Sequence, residues 1–282
     1  MSRVFTSSFT AIVVLALGLI APSPGWAQQR PLTTEDPETI GTGRFLFEGG
    51  IETGRDARYP LSGLRGDRLQ MPIGVSFGLG TIGELQLDTG YTWFDIDSRT
   101  DAPLAFRVPA DAEGTHDVLD LVVATKIRVL AETAGRPAFA VRFATRLPNA
   151  SNESGLGLDT TDFSFGLLVG KTLGSVRIVG NAGLVLLSNP LIGTIQDDAF
   201  VGGLSIARAI TKGLEVAAEV SGQKVWFADV PPPGGEPLGE VRTAVRYTRG
   251  RTRIDGGLLF GFTERSPDFG IMAGITIVGN LQ

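Results

Sequence analysis

From residue 44 onward the chain alternates apolar and polar residues with a period of two. The clearest stretch is 68–79. Leu69, Met71, Ile73, Val75, Phe77 and Leu79 fall on one face, and Arg68, Gln70, Pro72, Gly74, Ser76 and Gly78 on the other. Successive side chains of an extended strand point to opposite faces, whereas no helix sorts residues in this way. The same rule groups Phe45, Phe47 and Ile51, and then Leu85, Leu87, Tyr91 and Trp93. Further segments follow at 119–129, 139–146, 162–169, 176–186, 200–206, 214–221, 240–247, 253–262 and 269–277, which makes twelve in all.

Soluble sandwiches also alternate, so length and spacing have to decide. The segments run about 10 to 13 residues, against a usual strand length of ~5–6. A tilted strand needs ~9–11 residues to cross a membrane. Short links fall near 80–83, 131–137, 171–175, 209–213 and 249–251; longer ones fall near 53–67, 95–117, 148–161, 188–198 and 228–239. Only the last, 264–268, breaks that order. Short turns at one end and long loops at the other characterise outer-membrane barrels. The expected fold is therefore all-β, a single antiparallel transmembrane β-barrel of about twelve strands over residues 44–282, closed because hydrocarbon tolerates no unpaired backbone.

In such a barrel the apolar face meets lipid and the polar face lines the lumen. The residues expected to line it are Arg68, Glu84, Asp88, Asp120, Lys126, Arg128, Arg142, Arg146, Asp162, Arg177, Glu215, Glu219, Glu240, Arg242, Arg246, Arg253 and Asp255. Charge is nearly balanced but unevenly spread, with a basic group at 126–146 and acidic pairs at Glu84 with Asp88 and Glu215 with Glu219. Two arrangements follow from this. A transverse field could orient polar solutes, or the charges could pair and fill the interior. Twelve strands lie between filled eight-stranded and open sixteen-stranded barrels. Aromatic residues at the segment ends suggest membrane interfaces: Tyr91, Trp93, Trp226, Phe260 and Phe262 at the loop end, and Tyr247 at the turn end.

Residues 1–27 change the picture of location. Arg3 precedes an apolar run at 11–20, then Pro22 and Pro24, with Gly25 and Ala27 placed for cleavage before Gln28. This is the pattern of an export signal, and ten apolar residues are too few for a membrane helix. Residues 28–43 do not alternate and contain Pro31 and Pro37. They are expected to form a periplasmic or lumen-facing extension. The chain carries 38 glycines and no cysteine, with 43% hydrophobic residues and a net charge of −5. That excludes a disulfide scaffold and a thiolate metal site, and it gives no basis for nucleic-acid binding.

No catalytic constellation stands out. His116 is the only histidine, so a hydrolytic triad would have to use it. No serine motif surrounds it, and neither a metal nor a cofactor is expected. Gly78-Leu79-Gly80 and Gly155-Leu156-Gly157 precede no helix and read as turns rather than phosphate loops.

The segment Arg30-Pro31-Leu32-Thr33-Thr34-Glu35-Asp36-Pro37, followed by Gly41-Thr42-Gly43-Arg44-Phe45, resembles the opening of the outer-membrane transporters called the phenol-degradation MetA-pathway family. Pro267-Asp268-Phe269-Gly270 and Gly274-Ile275-Thr276 are similar to that family's end. The chain departs from many outer-membrane barrels in finishing Val278-Gly279-Asn280-Leu281-Gln282, without a terminal aromatic residue. The resemblance implies a barrel for uptake of aromatic or other hydrophobic small molecules. The expected function is an outer-membrane channel or transporter. Its partners would be outer-membrane lipid and lipopolysaccharide, the barrel-assembly machinery and a small-molecule solute. The alternatives are a non-conducting structural or surface-recognition barrel and, more distantly, a lipid-modifying enzyme.

Overall fold

The computed structural model describes residues 30–281, apart from 194, 227–230, 232 and 233. The export signal at 1–27 lies outside the described residues. Thirteen strand segments follow one another: β1 (Arg44–Tyr59), β2 (Leu64–Leu79), β3 (Gly83–Arg99), β4 (Gly114–Val118), β5 (Leu121–Leu130), β6 (Ala138–Leu147), β7 (Asp162–Leu173), β8 (Val176–Ser188), β9 (Gln196–Thr211), β10 (Leu214–Val225), β11 (Leu238–Arg249), β12 (Thr252–Gly261) and β13 (Phe269–Asn280). Both β4 and β5 pair with β3, so they are two parts of one crossing and the wall has twelve. Each crossing pairs antiparallel with its sequence neighbours, and β1 closes on β13 through a register running from Arg44 opposite Asn280 to Arg55 opposite Phe269. The result is a closed twelve-stranded barrel, which leaves no sheet edge except beside β4.

The period-two pattern explains what faces where. Large apolar side chains lie exposed along the outside, among them Met71, Ile73, Phe143, Phe165, Leu204 and Ile271. Water would disfavour such a belt, whereas lipid would accept it. Buried apolar clusters are small. One joins Leu46 and Val278 to Ile40, another joins Ala207, Ala217 and Ala244 to Leu32, and a third near the loops holds Ala57, Leu64, Phe94 and Val108. Two of the three thus need an apolar residue from the segment before β1.

Two connections differ from the sequence expectation. The link expected at 53–67 shrinks to residues 60–63, because β1 and β2 each run 16 residues. Their register shifts between Gly54 and Ala57, and Asp56 adopts φ 55° there. A bulge of this kind breaks the alternation by one residue, so the strands continue where the pattern stops. The link expected at 95–117 is also shorter, since β3 extends to Arg99 and β4 starts at Gly114.

The interruption between β4 and β5 has its own repair. Beyond Leu121, the partner of Leu147, the far edge of this crossing has no strand beside it. The loop 148–161 covers it instead. One Asp120 oxygen accepts the N–H groups of Asn149 and Ala150, both at 3.0 Å, and Asp117 accepts that of Ser151 at 2.8 Å. Carboxylates here replace the strand partner that buried backbone requires.

Candidate functional site

The lumen contains residues 30–43, which run through it as a strap. Entry is beside β2, where the strap lies so close to Gly78 that a Cβ there would sit 1.8 Å from the Gly41 carbonyl. The Ile40 N–H then bonds Glu84 at 2.9 Å. Glu38 pairs with Arg128, and Asp36 pairs with Arg177 at 2.7 Å. Thr33 and Thr34 cross to β10, where both backbone N–H groups and both hydroxyls donate to Glu219. Arg242 donates to the Pro31 carbonyl at 3.2 Å. Finally the Arg30 side chain rests over Gly50 and Gly274 on β1 and β13. The strap therefore touches walls all round the barrel.

Its centre is Glu35. The carboxylate meets Lys126 at 2.9 Å and Arg142 at 2.7 Å, and accepts from the Gln86 amide. Lys126 is 0% exposed and also lies 3.3 Å from Glu84. Burial would push the Glu35 carboxyl up, but the charges of Lys126 and Arg142, with the Gln86 hydrogen bond, hold it below the ordinary range. Glu35 is therefore an anion in its docked position, and it contacts two of the four cations of the basic group on the wall.

Most of the remaining charges expected in the lumen also find partners. Arg68 meets Glu52 at 3.0 Å, and Arg242 meets Glu52 at 3.0 Å and Glu240 at 2.9 Å. Arg146 bonds both Asp120, at 2.6 Å, and Asp162. Arg246 meets Glu215 at 2.9 Å, and Arg177 also reaches Glu132. Asp88 projects towards Gly74, whose missing side chain leaves it room. Arg253 and Asp255 are buried, and among the described residues two Arg253 nitrogens and both Asp255 oxygens lack a hydrogen-bond partner. Most of the wall charges are thus paired, as in the second arrangement, but they do not fill the interior.

Sequence reasoning missed several members. Glu48 and Glu52 lie on the β1 face opposite Phe45, Phe47 and Ile51, so the same alternation assigns them to the lumen. Glu35, Asp36 and Glu38 lie in a segment without period, where no rule connects them to the barrel. Their only signal is acidity beside a basic wall. Among the aromatic residues, Trp93, Trp226, Phe260 and Phe262 are exposed near the loops, and Tyr247 is exposed near the turns. Tyr91 is half-buried and lies 4.5 Å from Trp93. His116 stacks on Tyr91 and shares a 2.6 Å hydrogen bond with its hydroxyl.

Cavities remain beside the strap. One of about 400 Å³ lies towards the turns, and one of about 240 Å³ lies on the other side of Thr34. The latter shares Arg142, Ser164, Gln223 and Leu238 with a cavity of about 330 Å³. That one shares Arg146, Leu158 and Arg265 with another of about 150 Å³ beneath the loops. Neighbouring cavities thus share lining residues from the loop end to the turn end, and Thr34 lines both of the two that meet at the strap.

No family model and no curated protein sequence matches the chain. The fold has clear counterparts. The COG4313 outer membrane channel from Pseudomonas putida F1 is 12% identical and superposes with a TM-score of 0.62 over 86% of this chain and 98% of that one. The NanC porin is 9% identical, with a TM-score of 0.51 over 83% of this chain and 98% of its own. The chain shares the barrel fold of these outer-membrane proteins.

Proposed function

We propose that this protein is an outer-membrane channel for small solutes, with a bore set by the strap at residues 30–43. The observation that carries this reading is a closed barrel with an apolar exterior and a charged interior that still contains cavities at both ends and beside the strap. A barrel of this kind is suited to lipid outside and to polar contents within. Its short turns would face the periplasm and its loops the exterior. The resemblance at residues 30–45 and 267–276 to the phenol-degradation MetA-pathway family supports aromatic or hydrophobic small molecules as the solute class. Export would use residues 1–27, and assembly would use the machinery that inserts such barrels. Lipid and lipopolysaccharide would then surround the belt.

His116 is the residue a hydrolytic triad would require, and its engagement by Tyr91 favours a channel over a lipid-modifying enzyme. A second reading, a non-conducting structural barrel, draws on the docked strap and the paired charges. Single-channel recording of the refolded protein in a planar bilayer separates the two. Discrete steps blocked by small aromatic solutes are expected of the channel. A properly inserted barrel that passes no current would sink that reading.

A further inference from the structure

The cavities near the loops differ in charge from those near the turns. Among the described residues, the lining of the cavity beneath the loops includes Arg58, Arg68, Arg146 and Arg265 and no carboxylate. The adjoining cavity is lined by Arg142, Arg146 and Arg265 against a single acid, Asp162. Near the turns, Asp36, Glu38, Glu132 and Glu215 balance Arg177, Arg246 and Arg253. The excess of positive charge is thus confined to the loop end.

Arg265 is the unusual member. It lies in the connection between β12 and β13 and reaches the wall shared by the two loop-end cavities. It donates to the Gly234 carbonyl at 2.8 Å. Among the described residues it has no carboxylate at ion-pair distance, whereas Arg58, Arg68 and Arg142 each have one and Arg146 has two. Burial, with Arg146 close by, holds its guanidinium below the ordinary value even though Glu236 and Asp162 act the other way. Arginine stays a cation at neutral pH, and among the described residues this one is enclosed without an ion-pair partner. Around it the walls are apolar: Leu61, Leu104, Leu156, Leu158 and Leu238.

We infer that the loop-end chamber is a binding site for a small organic monoanion with an apolar body, its carboxylate held by Arg265 beside Arg146 and its ring or chain against the leucines. This deepens the channel reading and rests on it only for its purpose, since the site itself is defined by enclosed charge and shape. A guanidinium fork suits a planar carboxylate and gives a charge-assisted hydrogen bond. The leucine walls disfavour a hydrated inorganic anion, and the arginine excess disfavours cations. A neutral apolar solute would fill the walls but leave Arg265 without its anion.

The test is calorimetric titration of the detergent-solubilised, refolded protein with benzoate, benzyl alcohol and acetate, with conductance recorded in parallel. Benzoate is expected to bind, and the other two to bind about tenfold or more weakly, because each lacks one half of the recognition. Arg265→Gln should weaken benzoate by a similar factor. Leu158→Glu, which supplies the missing carboxylate from the wall, should abolish binding with Arg265 still in place. Heat-modified gel mobility verifies that each variant remains a folded barrel. Benzyl alcohol binding as well as benzoate, or an unchanged affinity in both variants, overturns the site. Conductance without benzoate binding removes the site and leaves the channel; binding without conductance keeps the site and removes the channel.

Discussion

Towards the turns, the lumen is organised by the strap. Glu35, Asp36 and Glu38 satisfy Lys126, Arg142, Arg177 and Arg128, and Glu219 accepts four hydrogen bonds from two threonines. Towards the loops, the walls are tied to one another by short ion pairs such as Arg146 with Asp120, and the cavities between them keep an unbalanced arginine. The same barrel thus holds a half in which the strap pairs the wall charges beside a cavity of about 400 Å³, and a half whose smaller cavities are lined by an excess of arginine. On the channel reading the strap would hold the barrel and narrow its bore. The loop half is where a solute would first meet the protein.

If the turn half carries the structural load, removing its central cation should cost most. Lys126→Met leaves buried Glu84 without its cation and Glu35 with Arg142 alone, and should lower stability by about 3–5 kcal/mol. The urea midpoint of the refolded barrel measures this. A change under about 1 kcal/mol would show that the strap is not held by its charges.

A smaller loss is expected from crowding the strap. A Cβ at Gly203 would lie 2.7 Å from the Thr34 methyl, so Gly203→Val should cost about 1–3 kcal/mol and expose the strap to protease. Gly166 has nothing within 4 Å of an added Cβ, and Gly166→Ala should leave the strap protected. Equal protection in the two variants would contradict the docking described here.

Acid offers a third test. Docking depresses the Glu35 pKa below its ordinary value of 4.5, so the docked state is favoured in full above that value. The stabilisation is lost as pH falls through the depressed value. Hydrogen exchange across residues 30–40 should therefore stay slow at pH 5 to 8 and accelerate only well below about pH 4.5. Release at neutral pH would reverse the sign. The smallest effect is expected in the loop half. There Arg265→Gln keeps an amide able to donate to the Gly234 carbonyl and breaks no ion pair among the described residues, so it should change stability by about 1 kcal/mol or less.

The barrel could be read from the sequence because period two is a local property, and each segment declares its two faces independently. Twelve crossings emerged even though β1 and β2 hid their far ends behind the bulge at Asp56. The lumen's wall charges were legible for the same reason, although Glu48 and Glu52 were passed over. What could not be read is how those charges pair. Arg142 and Glu35 are neighbours only once the barrel has closed and the strap has entered it, so no spacing in the chain connects them. Some trace survives in the glycines. Gly50, Gly78 and Gly203 stand on the lumen face where the strap comes nearest, and a side chain at any of them would meet it. Arg265 gave no warning, because what sets it apart is that no carboxylate among the described residues comes to ion-pair distance, which only the folded loops decide.

The most direct test of the central claim compares single-channel conductance of the refolded chain with that of a variant lacking residues 30–40, in the same bilayer and salt. The account predicts small discrete steps from the intact chain and steps several times larger once the strap is gone. Identical conductance in the two proteins would mean that the strap does not set the bore, and would contradict the account.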